Sequence, residues 1–158
     1  MPALLNDNEI NQLLSEQKPL PANYREMLVT RPKRGHRERE LTVKGNANHE
    51  FRIILRQNLI NVLDFSAILA CSVADSTQLF RLRRYNGKSH QHTNKLERNR
   101  FYDFHIHTAT ERYQQIGMRE DSFAEPTNRY QNLQAAIDCM FQECGFILPQ
   151  EPQTVFPL

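Results

Sequence analysis

Alternation between apolar and polar residues, repeated in short runs along the middle of the chain, most narrows what this sequence can fold into. In 49–56, Phe51, Ile53 and Leu55 share one side while Arg52 and Arg56 share the other. In 78–85, Phe80 and Leu82 point one way and Leu79, Arg81, Arg83 and Tyr85 the other. In 102–108, Tyr102, Phe104 and Ile106 oppose Asp103, His105 and His107, and 37–43 alternates toward Leu41 and Val43. Side chains two apart on an extended chain project to the same side, so each run reads as a half-buried strand. Residues 64–73 are apolar on both sides, as a central strand would be. Gly45-Asn46 separates the first two runs as a hairpin turn. With no long helix between them, five successive strands imply an antiparallel meander.

The period changes at both ends. Asn6, with Glu9 three residues on, precedes Ile10, Leu13 and Leu14 and predicts a capped helix over about 8–17, ended by Lys18-Pro19. A second short helix is expected over 24–29. Leu133, Ala136, Ile137, Met140 and Cys144 fall on one helical stripe, with Gly145 where a C-cap belongs. They predict a helix over 129–144, with Thr127 or Asn128 as N-cap, covering one face of the sheet. The fold class is therefore α+β: an antiparallel sheet of about five strands, a short N-terminal helix, and a C-terminal helix packed on one face. The other face is at least partly open. A chain of 158 residues suits one domain, expected over 1–148, with 149–158 as an extended Pro-containing tail.

No apolar stretch is long enough to span a membrane, and no basic leader precedes an apolar run. Three Cys give no disulfide framework, so a reduced, cytoplasmic setting is expected. Cys71 and Cys144 read as core thiols, Cys139 as off the apolar stripe. The net charge of +2 hides a split. Lys and Arg dominate 31–56 and 81–100, whereas acids dominate from Asp103 onward. Such asymmetry suits an anionic partner, unless the two regions neutralise each other in the fold.

Histidine is the clearest chemical signal. Four of the six form two His-x-His pairs, His90/His92 and His105/His107. On a strand, His105 and His107 stand side by side, preceded on that face by Asp103. If 78–85 pairs with 102–108, Arg81, Arg83 and Tyr85 become their neighbours. Residues 86–100 form a long loop rich in hydrogen-bond donors that could fold His90 and His92 over the sheet. Three uses compete. Imidazoles titrate near neutrality and could supply the acid and base for RNA cleavage through the ribose 2′-OH, with Arg81, Arg83 or Lys88 stabilising the phosphorane. Four imidazoles, or two plus Asp103, could hold zinc or another transition metal, although neighbouring Arg disfavours a cation. The third use is a hydrogen-bonded sheet face or binding surface without chemistry. His36 and His49 read as isolated surface residues, and Glu125 as part of a turn leading into the last helix.

The blocks Leu79-Phe80-Arg81-Leu82-Arg83-Arg84-Tyr85-Asn86-Gly87, His90-Gln91-His92-Thr93-Asn94, Phe104-His105-Ile106-His107 and Ala124-Glu125-Pro126-Thr127-Asn128-Arg129-Tyr130 resemble those of a family of small uncharacterised bacterial proteins. More distantly, a strand ending in an aromatic-Asn turn, a His-rich loop and a further His cluster are similar to TumE-like toxins of toxin–antitoxin modules. That resemblance implies a mostly antiparallel sheet protein acting on RNA. It carries over only to Arg84, Tyr85, Asn86, His90, His92, His105 and His107, and the loop here is basic rather than Pro-rich.

The residues and the resemblance together give one expectation. It is a cytoplasmic, metal-independent endoribonuclease-like toxin without a cofactor, partnered by RNA and by a cognate antitoxin or other protein, with no membrane association. His105 and His107 are expected as the acid–base pair, with His90 and His92 as second candidates. Asp103 would orient a His, and Tyr85 stands beside them. Arg52, Arg56, Arg81, Arg83, Arg84, Lys88 and Asn86 would contact nucleic acid. The alternative is a non-catalytic protein- or nucleic-acid-binding module of phage or defence origin.

Overall fold

The computed structural model describes residues 3–74 and 76–150. The part of the expected tail beyond residue 150 lies outside the described residues. In chain order the elements are α1 (Asp7–Ser15), β1 (Lys18–Pro19), α2 (Tyr24–Met27), β2 (Arg31–Lys33), β3 (His36–Lys44), β4 (Glu50–Asn58), β5 (Phe65–Ser72), β6 (Leu79–Asn86), β7 (His92–Asn94), β8 (Asn99–Phe101), β9 (His105–Thr108), α3 (Glu111–Gln115), β10 (Ala124–Pro126), α4 (Leu133–Glu143) and β11 (Phe146–Ile147). The class is α+β, as the alternation implied. Seven strands, in the order β10-β9-β6-β5-β4-β3-β2, make one antiparallel sheet. The two strands beyond the expected five, β2 and β10, are three-residue edges too short to show a period. Residues 124–126, read as a turn toward the last helix, are the edge strand β10 instead.

α1 carries the capping box expected of Asn6 and Glu9. α4 begins at Leu133, capped by the Asn132 side chain on the Ala135 N–H, so the cap lies some four residues later than Thr127 or Asn128. Its apolar stripe packs on β5 and β6. The core lies between that helix layer and one sheet face, where Leu41, Val43, Phe51, Ile53, Leu55, Ala67, Leu69, Phe80, Leu82 and Tyr85 meet Ile10, Leu14, Ala136, Ile137 and Met140. Cys139 is buried with Cys71 and Cys144, contrary to its expected place off the stripe.

The ends of α1 and α4 meet over one cation. Lys18 is fully buried, and its Nζ donates to the carbonyls of Leu13 (2.8 Å), Leu14 (3.1 Å), Glu16 (2.7 Å) and Cys144 (2.7 Å). These are carbonyls that a helix end leaves unpartnered, and the negative end of each helix dipole favours the ammonium. Burial still pulls its pKa down to about 8. Gly145, at φ 76°, follows α4. A Cβ there would lie 2.5 Å from the Glu16 carbonyl oxygen, so glycine is what lets the two helix ends approach.

Candidate functional site

β6 decides which side chains reach the site. Ala70 of β5 pairs with Arg81 and Leu69 pairs with Arg83, so Leu82 is an extra residue, a β-bulge. One inserted residue exchanges the two faces beyond it. Phe80, Leu82 and Tyr85 therefore enter the core, while Arg81, Arg84 and Asn86 share the opposite face with Ala70, Ile68 and Ser66. The expected row of Arg81, Arg83 and Tyr85 beside the histidines is corrected accordingly. Arg84 stands opposite His107 and Asn86 opposite His105. Arg83 faces the helix side opposite Thr108, near the Cys144 sulfur. The Tyr85 hydroxyl, with no exposed surface, donates to Glu143 Oε1 at 2.7 Å. Burial raises its pKa, and neither residue belongs to the histidine face.

The loop after β6 folds back over the sheet, as its histidines suggested. Gly87 opens it under close constraint, because a Cβ there would sit 1.8 Å from the Leu63 carbonyl oxygen. The loop is largely the β7–β8 hairpin, and two fastenings hold it down. The Asn94 amide bonds both backbone groups of Ala124 on β10, Nδ2 to the carbonyl (2.7 Å) and Oδ1 from the N–H (2.9 Å). At the hairpin turn, Glu97 pairs with Arg112 (2.8 Å) and accepts from the Tyr113 hydroxyl (2.6 Å). The result is a covered, not open, end of the sheet. His105 and His107 are 1% and 4% exposed, correcting the expectation that they face solvent.

Three imidazoles converge beneath this cover. Ring centroids lie 5.0 Å apart for His105 and His107, 4.8 Å for His92 and His107, and 5.5 Å for His92 and His105. Phe101 packs against His92 and His105. His90 is exposed at the rim, its centroid 6.0 Å from that of His105. Each of the three inner rings has one nitrogen fixed on an oxygen that can only accept. His105 Nδ1 donates to the Asp103 carbonyl (2.8 Å), and His107 Nδ1 to the Asp121 carbonyl (2.7 Å). His92 Nε2 donates to Asn94 Oδ1 (2.8 Å), an atom already identified as the amide oxygen because it accepts from the Ala124 N–H. The contact from the Asn86 amide nitrogen to His105 Nε2 is long, at 3.5 Å. It is the backbone of Asp103, not its exposed carboxylate, that orients His105.

Burial disfavours a charge on these rings. Desolvation, only partly offset by the bond to Asp103, brings the His105 pKa down to about 4. For His107, desolvation and then the Arg84 charge bring it to about 2. A proton-transfer group works best with a pKa near the working pH, so this pair is poorly matched to acid–base exchange at neutrality. Arg84 is itself held by buried Asp121, whose Oδ2 accepts from Arg84 Nε at 3.1 Å with Arg81 at 4.0 Å.

Of the expected nucleic-acid contacts, Arg52, Arg56, Arg81, Arg84 and Asn86 do share the histidine face. The register aligns Arg56, Ser66, Asn86 and His105 in one row across β4, β5, β6 and β9. Arg56 is exposed and makes no ion pair among the described residues, since Glu38, opposite it, is taken by Lys33 and His36. Lys88 lies at the loop's start, its Nζ 5.6 Å from the centre of the Tyr102 ring. His36 and His49 pair with Glu38 and Glu16 away from the cluster. Sequence reasoning missed Asn94, Phe101 and Asp121. Asn94 lies in the His-x-His-Thr-Asn block, whereas nothing in the sequence marks Phe101 or Asp121.

Comparison with known proteins adds one finding. A family model whose description is that of a family of unknown function matches residues 5–145. No curated protein and no solved structure matches.

Proposed function

The chain belongs to the DUF6978 family, and we propose that it acts on a nucleic acid, RNA first, bound across the sheet face that ends at the histidine cluster. One observation carries this reading: the row Arg56, Ser66, Asn86, His105 leads from an exposed guanidinium, without an ion pair among the described residues, into the cluster. Arg52 and Arg81 lie on the same face two rows away, beyond Ile54, Ile68 and Arg84. Neighbouring strands lie about 4.8 Å apart, so the row spans roughly 14 Å. A cation at one end of such a track, with polar side chains beyond it, suits a phosphate and the nucleotides that follow it. The nucleic-acid strand's end would meet His90, the exposed imidazole at the rim, and the sheltered rings behind it. In its finer form the proposal is a bacterial, cytoplasmic endoribonuclease toxin that an antitoxin restrains by covering this face.

A single-stranded RNA titrated by fluorescence anisotropy at several salt concentrations tests the binding. Arg52→Glu with Arg56→Glu should weaken binding at least about tenfold and reduce the salt slope by about one per contact. No RNA affinity at low salt overturns the reading. For the toxin form, expression of wild type should slow growth and fragment cellular RNA, and His90→Ala should relieve both. Affinity without fragmentation would instead leave a binding module, which the burial of His105 and His107 also favours.

A further inference from the structure

We infer that His92, His105 and His107 form a binding site for a divalent transition-metal ion, zinc being the first expectation. The argument is one of lone pairs. A carbonyl or amide oxygen accepts and never donates, so the nitrogen facing it carries the proton. In a neutral imidazole the other nitrogen then bears a lone pair. For His105 and His107 that nitrogen is Nε2, and for His92 it is Nδ1. One nitrogen of each of the three rings lies within 4.8 Å of the corresponding atom of the other two. Three lone pairs brought together repel, and no hydrogen-bond donor among the described residues satisfies them beyond the long contact from Asn86. A cation is what such a set accommodates.

The surroundings fit as well. Histidine ligands ordinarily give their second nitrogen to a carbonyl or amide partner that fixes the ring, and all three rings here do so. Zinc–nitrogen bonds of about 2.0–2.1 Å in a tetrahedron place the nitrogens roughly 3.4 Å apart, a contraction that small side-chain rotations can supply. The neighbouring Arg84, which would repel a cation, is offset by buried Asp121. Phe101 shields the rings from bulk water. Three neutral ligands leave the ion its full charge and a position for water, the arrangement that makes bound water acidic. The all-nitrogen donor set disfavours magnesium and calcium, which select oxygen.

Metal binding is read without RNA, so its outcome is separate from that of the proposed function. Untagged protein, freed of metal by chelation, is titrated with zinc by calorimetry and with cobalt(II) by visible absorption. One ion per chain is expected, with the intense visible bands of four-coordinate cobalt. His92→Ala, at a half-buried ring on the hairpin, should keep its circular dichroism spectrum and lose at least about a hundredfold in affinity. Asn94→Ala, which touches no metal, should weaken binding about tenfold to a hundredfold through the ring it orients. His36→Ala and His49→Ala should bind as wild type does. Absence of stoichiometric binding by wild type, or undiminished binding by His92→Ala, overturns the inference.

Discussion

Protonating His105 or His107 in the folded chain would place a cation among Phe101, Arg84 and neighbouring imidazoles. The unfolded chain takes the same protons near pH 6.5. Folded values of about 4 and about 2 lie below that, so the unfolded state binds more protons as the pH falls from 6.5 to 4. Stability therefore rises with pH in this window and is lost on acidification, by about 1.4 kcal/mol per unit for each ring. Metal-free protein should show its urea midpoint falling steadily from pH 6.5 to pH 4. His107→Gln removes one of the two sites and should flatten that fall; an unchanged slope would refute the assignment. At this scale the paired histidines were legible in the sequence because spacing of two is itself a strand signal. Asp121 was not, since its partners are chosen by how a distant loop folds back.

Hairpins and helix ends carry the next level. Asn94 works as a one-residue strand on the open side of β10. Asn94→Asp sets a carboxylate oxygen against the Ala124 carbonyl and should cost about 2 kcal/mol. It should also raise hydrogen exchange across residues 92–101 while that of β4 and β5 stays slow. Lys18 fastens the ends of α1 and α4, and Lys18→Met leaves four carbonyls, three of them in buried bonds, without their donor. A loss of about 3 kcal/mol is expected in equilibrium denaturation. The strands were readable from alternation, yet the face each β6 residue takes was not. A bulge at Leu82 inserts a residue without leaving any mark in composition, which is why Arg83 and Arg84 exchanged their expected places. α4 was placed correctly by its stripe, but its start slipped because β10 occupies the stretch where a cap seemed available.

Across the molecule, the acidic C-terminal part does meet the basic middle at one point, where buried Asp121 holds Arg84 at 3.1 Å with Arg81 at 4.0 Å. Charge counting along the chain therefore overstated the basic surface around 81–100, while 31–56 keeps more of its excess. Arg52 and Arg56 belong to that remainder, and Arg52→Glu or Arg56→Glu should alter stability by less than about 0.5 kcal/mol each. A larger shift in thermal melting would show that these side chains serve the fold instead. Among the described residues no helix is long and apolar enough to cross a membrane. The sheet's two margins deserve comparison. At one, Pro126 lacks an N–H and Ala124 is occupied by Asn94; at the other, β2 is three exposed residues with Pro32 between Arg31 and Lys33. Neither border offers a run of vacant amides to a second polypeptide. Growth of fibrils by stacking copies side to side is thereby discouraged, and concentrated solutions of the protein should stay free of such polymers.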